Sequence, residues 1–319
     1  MRAVVTGAAG FIGSHLCAHL LAAGDEVVGI DAVTDTYDPK LKEHNLDVLR
    51  RSDGFDFRLA DLLETDLARA LDGAEVVYHL AGEPGVRPSW GREFPRYTSR
   101  NVLTTQALLE ATRGMPLRKL VYASSSSVYG HAADLPTAET LCPRPVSPYG
   151  VTKLAAEHLC ELYRTAFGVP TVSLRLFTVY GPRQRPDMAF ARLVAAAVRD
   201  EPFALYGDGE QTRDFTYVAD TVTAMRGAAQ AEFTGVANIG GGSRASMNEA
   251  IAIVECMTGR IDLRRTAAQP GDIRHTGADI SVAADAFGFA PEVTLPEGLA
   301  EMVAQERFFG GPRHGPGPR

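Results

Sequence analysis

Lysine is scarce in this 319-residue chain, occurring only at Lys40, Lys42, Lys119 and Lys153. Acidic residues outnumber basic ones, 39 to 32, for a formal net charge of −7. A broad cationic face for nucleic acid is therefore excluded, although a few arginines suffice for a small anion. The four cysteines, Cys17, Cys142, Cys160 and Cys256, are scattered with no C-x-x-C pair. Neither a thiolate metal cage nor a disulfide framework is indicated, and free thiols in a reducing compartment are expected. His15 and His19 have the helical spacing of metal ligands, but no third ligand accompanies them, and no metal is expected. The single tryptophan, Trp90, and the pair Phe308-Phe309 read as packing residues. No apolar run approaches the ~18 residues of a membrane span, and the chain opens on a strand-like segment rather than a signal peptide. The expectation is a cytoplasmic protein with no membrane or nucleic-acid partner.

What the sequence does contain is an alternation of strand-like and helix-like segments, with 45% hydrophobic residues to fill a core. Apolar runs at 2–6, 26–30, 55–59, 76–80, 118–124 and 171–177 read as buried strands. Periodic stretches at 13–23, 99–113 and 149–166 read as helices between them. The pattern predicts an α/β fold of Rossmann type, a doubly wound parallel sheet, over residues 1–178. Beyond 178 the rhythm loosens. Helices at 188–199, 217–230 and 246–258 and a strand near 203–206 predict a smaller C-terminal lobe, 179–309, from which some chain returns to the first domain. Residues 310–319, rich in Gly, Pro and Arg, read as a disordered tail.

The turn after the first strand is Thr6-Gly7-Ala8-Ala9-Gly10-Phe11-Ile12-Gly13. Gly7 permits a tight turn, Gly10 lets backbone N–H groups approach a pyrophosphate, and Gly13 lets helix and strand pack closely. The helix N-terminus favours the phosphate charge. Asp31, ending the next strand, is placed to bind the adenosine ribose hydroxyls and to repel a 2′-phosphate, so NAD is expected over NADP. Phe11, Ile12, Leu62, Leu80 and Ala81 complete the expected cofactor wall, with Asp61 near the adenine edge or, equally, capping a helix.

Tyr149 and Lys153 stand four apart on one predicted helix face. A tyrosinate base at neutral pH needs about 3 pH units of depression, roughly 4 kcal/mol, which a lysine and a positive nicotinamide ring can supply together. Lys153 can also bind the nicotinamide ribose. The run Ser124-Ser125-Ser126-Ser127 ends a predicted strand, at the sheet edge where such folds bind ligands.

These motifs together resemble the extended short-chain dehydrogenases that act on nucleotide sugars. T-G-A-A-G-F-I-G-S-H-L, S-S-S-S-V-Y-G at 124–130, Y-G-V-T-K at 149–153 and R-D-F-T-Y-V at 213–218 carry the likeness, from residue 1 to about 300. The resemblance implies a catalytic triad of Ser125, Tyr149 and Lys153, and NAD held tightly and regenerated each turnover. It also implies a homodimer formed through helices 99–113 and 151–166.

Within that family the chain is most similar to the UDP-glucuronate 4-epimerases. The segments 37–42, 85–89 and above all 175–188, R-L-F-T-V-Y-G-P-R-Q-R-P-D-M, carry this closer likeness. Dehydratases of the family carry an Asp-Glu pair where Ser126-Ser127 stands, and uronate decarboxylases a glutamate in place of Ser127. The implied reaction is C4 epimerisation of a UDP-uronic acid through a 4-keto intermediate, without loss of carbon dioxide. Arg87, Ser126, Ser127, Tyr149, Thr178 and Arg185 are the expected sugar contacts, and Arg192, Arg213 and Arg274 the candidates for the UDP moiety. Glu83-Pro84 and Pro88 depart from the family pattern. A decarboxylase, a hexose 4-epimerase, and a non-catalytic NAD sensor or scaffold remain as alternatives.

Overall fold

The computed structural model describes residues 1–132, 135–267 and 273–310. Of the expected disordered tail, 310–319, Gly310 instead ends the helix Leu295–Gly310, and the rest lies outside the described residues. Six strands follow the predicted alternation: β1 (Arg2–Thr6), β2 (Glu26–Asp31), β3 (Phe55–Leu59), β4 (Val76–His79), β5 (Lys119–Ser125) and β6 (Thr171–Leu176). A seventh, Gly235–Ile239, returns from late in the chain to pair with β6. The spatial order is Gly235–Ile239, β6, β5, β4, β1, β2, β3, and every pairing is parallel. This is a Rossmann-type doubly wound sheet.

Both faces of the sheet are apolar, as parallel strands require. On β1, Ala3 and Val5 point to one side, against Leu16 and Leu20 of the helix α1 (Phe11–Ala22) and Met225 of the helix Val218–Gln230. Val4 points to the other, with Leu108, Leu109, Ala156 and Tyr163 from the helices Thr104–Thr112 and Pro148–Phe167. The strand order reverses between β4 and β1, so the crevice outside their carboxyl ends is the natural ligand site of this topology.

The C-terminal part builds its own apolar cluster from Phe190, Leu193, Leu205, Ile251, Val254 and Met302. Its helix Met247–Thr258 opens with a capping box between Ser246 and Glu249. A parallel pair, Phe203–Tyr206 with Leu263–Thr266, lies beside it.

Besides the strand Gly235–Ile239, the helices Ser281–Phe287 and Leu295–Gly310 were not expected, and two further elements differ from the sequence reading. The helix α2 (Pro39–Leu49) was not expected, because charged residues blur its period. Local chemistry defines it instead, with Pro39 at its first position and the Asp38 carboxylate accepting from Lys40 N at 3.0 Å. The helix expected at 99–113 starts earlier, at Phe94, and contains a π-helical stretch at Thr98–Leu103. Trp90, Phe308 and Phe309 are exposed, although the two phenylalanines meet edge-on and Phe309 also meets the His44 ring. All four cysteines are free thiols. Among the described residues, no helix is long and apolar enough to cross a membrane.

Candidate active site

A cavity of about 470 Å³ runs along the carboxyl ends of β1, β2, β4, β5 and β6. Its floor is the glycine turn. Gly7 has φ +74°, and a Cβ there would meet Ala81 N at 2.8 Å. A Cβ on Gly13 would overlap the Gly7 carbonyl oxygen. Backbone thus approaches backbone where any side chain would intrude. Phe11 and Ile12 of α1, Leu62, Leu80 and Ala81 line the same cavity.

At one end, Asp31 is held by two backbone donors, Ala9 N to Oδ2 at 3.1 Å and Val33 N to Oδ1 at 2.7 Å. Lys42 of α2 reaches the same region, donating from Nζ to the Thr34 carbonyl at 2.8 Å and lying 5.0 Å from the Tyr37 ring centre. Asp61 does not cap the helix Leu67–Ala70, whose N-cap is Asp66. Asp61 instead lines the cavity, accepts from Leu63 N at 3.0 Å in a turn, and pairs with Arg100 Nη1 at 2.8 Å. Arg100, Thr34 and Thr36 were missed in the sequence because they belong to no spaced motif, and Lys42 because the likeness of segment 37–42 does not say which of its residues reaches the cavity.

At the other end, Tyr149 and Lys153 project from the first turns of the helix Pro148–Phe167. Ser147 caps that helix and Pro148 starts it. Ser125, Ser126, Ser127, Thr178 and Arg185 complete this wall. Burial raises the Tyr149 phenol above its ordinary value, while the hydrogen bond with Ser125 and the charge of Arg185 oppose that rise. The expected action of Lys153 on the phenol is not what the structure shows. Its ammonium donates to the Ala123 carbonyl at 2.7 Å and lies over the Tyr122 ring, and burial lowers its pKa to about 8. Arg185 is itself oriented by a two-pronged contact with Asp187, at 3.0 and 2.8 Å.

Buried wiring supports both ends. His79 connects them: Ala81 N donates to the Thr6 hydroxyl, which faces His79 Nδ1 at 2.8 Å, so the hydroxyl proton goes to the ring. His79 Nε2 then donates to Thr105, whose hydroxyl donates to the Asn101 carbonyl. Burial drives the imidazole pKa down to about 3, consistent with this neutral tautomer. Beneath the serine run, Ser124 donates to Glu157 at 2.8 Å, and Glu157 pairs with Arg175, both side chains only 5% exposed. Arg175 continues to Tyr129, and Tyr129 to Asn238. Motif matching misses this layer because its members lie far apart in sequence.

The remaining arginines do not line the cavity. Arg87 and Arg192 place their guanidinium groups 4.7 and 5.5 Å from the centre of the same Tyr206 ring. Arg213 Nη1 donates to the Thr212 and Arg274 carbonyls. Arg274 pairs with Asp208 at 3.1 Å on the surface. His15, considered with His19 for metal, instead binds the Pro182 carbonyl through Nε2 at 2.8 Å.

Comparisons with known proteins agree with this architecture. A crystal structure of a Bacillus cereus UDP-glucuronic acid 4-epimerase with UDP-glucuronic acid and NAD superimposes with a TM-score of 0.93. It is 44% identical and covers 97% of this chain and 100% of its own. A Bacillus subtilis protein named as an uncharacterized UDP-glucose epimerase, YtcB, is 44% identical over 310 residues, 95% of this chain and 97% of that protein. The UDP-glucuronate 4-epimerase of Thermodesulfobacterium geofontis is 34% identical over 305 residues, 94% of each. Residues 3–240 match the NAD dependent epimerase/dehydratase family, and the chain belongs to it.

Proposed function

We propose that this protein interconverts UDP-glucuronic acid and UDP-galacturonic acid at C4, with NAD as its resident cofactor. The observation that carries the reading is one cavity holding Tyr149, Ser125 and Lys153 against a wall of Ser126, Ser127, Thr178 and Arg185. The cavity fits the cofactor. Its glycine floor leaves no room for Cβ atoms, the N-terminus of α1 opens on it without an acidic residue in the first turn, and Asp31 stands at the ribose position. Bound NAD supplies the oxidation of the substrate carbon and its reversal.

The protein's own groups manage the proton and the intermediate's shape. Tyr149 takes the proton from the C4 hydroxyl and, once the 4-keto sugar has turned over to present its other face, returns it to the C4 oxygen. Ser125 and Arg185 both favour its phenolate form, and Lys153, held on the Ala123 carbonyl, is assigned to the nicotinamide ribose. Once C4 is a ketone, the neighbouring carboxylate makes the sugar a β-keto acid, prone to lose carbon dioxide. Ser126, Ser127, Thr178 and Arg185 are the groups assigned to hold that carboxylate near the carbonyl plane, where the carbon–carbon bond overlaps poorly. No carboxylate stands at 126 or 127 to act as acid or base for elimination. Arg192, Arg213 and Arg274 are assigned to UDP, which would then extend beyond the cavity wall toward them. Exposed Leu103, Val151 and Leu162 on the two expected dimer helices support a homodimer, for which light scattering is the check. Exposed, unpaired Cys142 and Cys256 suit a reducing cytoplasm.

The test is proton NMR of purified protein with UDP-glucuronate and no added cofactor. UDP-galacturonate at an equilibrium ratio supports the reading. A UDP-pentose would instead identify a decarboxylase. Turnover of UDP-glucose alone would identify a hexose 4-epimerase, the activity named for the Bacillus subtilis relative. No turnover with NAD added would leave a sensor or scaffold.

A further inference from the structure

The loops that follow β2 and β4 both line the cavity, and β1 with its glycine turn lies between those strands. A bond joining the two loops must therefore cross in front of the turn, where the middle of a dinucleotide would run. Such a bond exists. Arg96 donates from Nε to Glu83 Oε2 at 2.8 Å and from Nη2 to the Thr36 hydroxyl at 2.8 Å. Thr36 donates to Glu83 Oε1 at 3.3 Å, closing a three-membered ring of contacts. The Glu83 side chain is only 8% exposed, and Arg96 is the cation that faces it there.

The β4 side of this bridge is fixed. Asn101 accepts from Glu83 N at 2.7 Å and donates to its carbonyl at 3.1 Å, and the Tyr97 hydroxyl holds the Pro84 carbonyl at 2.9 Å. The β2 side is tied by Lys42 at Thr34 and by the bridge at Thr36. Asp35 between them is 91% exposed and touches Arg96 only at 3.7 Å. Between the Lys42 anchors at Thr34 and at the Tyr37 ring, only Asp35 and Thr36 depend on the bridge for their place over the groove.

We propose that Glu83, Arg96 and Thr36 form a latch across the dinucleotide groove that must open for NAD to enter or leave, and so hold the cofactor through repeated turnovers. The inference rests on the NAD reading above. These residues act on access to the groove and not on the chemistry at Tyr149.

The test measures NADH entry by stopped-flow fluorescence and exit by chase with excess NAD. In Arg96→Ala, exit is expected to rise about tenfold, the worth of one charge-assisted hydrogen bond, and entry to rise comparably. The Kd then moves by less than about threefold, since a barrier common to both directions cancels in the equilibrium. Thr36→Val, which keeps the shape and deletes the hydroxyl, shifts both rates the same way but less. Arg96→Lys, which pairs with Glu83 but lacks the fork to reach Thr36, falls between wild type and Arg96→Ala. Exit rates equal to wild type would overturn the latch while leaving NAD binding intact. Faster exit with unchanged entry would make these residues simple binding or folding contacts and would also overturn it. Wild-type protein that binds no NADH would overturn both the latch and the cofactor assignment.

Discussion

The two ends of the cavity are made of different materials. The dinucleotide end is backbone: Gly7, Gly10 and Gly13, the start of α1, and the two N–H groups that fix Asp31. The sugar end is side chains, with Tyr149, the serines, Thr178 and Arg185 resting on the buried Ser124–Glu157–Arg175–Tyr129 network. A backbone cradle has no slack, so it fails sterically when an atom is added. A side-chain site is tuned by charge and hydrogen bonds, so it fails in proportion to what is removed. The first end supplies a fixed seat and the second an adjustable one, which is the division expected of a family that keeps its cofactor and varies its sugars.

Tyr149→Phe gives the largest separation of the two ends. Without its proton acceptor the turnover number should fall about ten-thousandfold, near 5 kcal/mol, while NADH affinity by fluorescence titration stays close to wild type. A parallel loss of NADH binding would break the comparison.

Arg175→Met attacks the support rather than the wall. Glu157 would be left charged and buried without its partner, which costs about 4 kcal/mol in urea unfolding. Adding Glu157→Leu should recover most of that, because an apolar pair needs no compensation. A single variant that remained as stable as wild type would show that the network contributes little.

Gly13→Ala tests the opposite end. The new methyl overlaps the Gly7 carbonyl oxygen, so turn and helix must part. NADH should bind roughly a hundredfold more weakly, about 3 kcal/mol, with the residual chemistry of any bound fraction unaltered. Intact affinity would mean the turn has slack after all.

The same division explains what was legible in the sequence. Backbone-built features announce themselves, because Gly7, Gly10, Gly13 and the acidic end of β2 are fixed by spacing along one βαβ unit. Tyr149 and Lys153 are legible for a similar reason, being one helical turn apart. Glu157, Arg175 and Asn238 meet only in the folded chain and follow no period, so no local signal could have joined them. Strand Gly235–Ile239 was missed because its partner β6 is remote in sequence. The long-range arginines show the limit most plainly. Residue type suggested phosphate contacts for Arg192 and Arg274, but it could not foretell that one lies over aromatic rings and that the other pairs with Asp208. The direction of Lys153, toward the Ala123 carbonyl, also depended on a β5 backbone that spacing does not reveal.

His15 lies where the two ends join, on α1 of the dinucleotide end against Pro182 and Arg183 of the chain leading from the sugar wall. Its Nε2 donates to the Pro182 carbonyl at 2.8 Å, and its Nδ1 accepts from Arg183 Nη2 at 2.8 Å. A second ring proton would point at the guanidinium, and burial together with that charge lowers the pKa from 6.5 to about 4. Between those values the unfolded chain binds the proton and the folded one does not. The stabilisation is therefore complete above about pH 6.5 and is lost as the pH falls toward 4. At its ceiling the effect is about 3 kcal/mol, and closer to about 2 where water reaches part of the ring. His15→Gln retains a donor to Pro182 without a titrating nitrogen, so urea unfolding of this variant should lose about that much of its pH slope between 4 and 6.5. His79, lowered further by complete burial, supplies slope over the same window in both proteins and cancels in the difference. Identical slopes for wild type and His15→Gln would show that the joint between the two ends does not titrate.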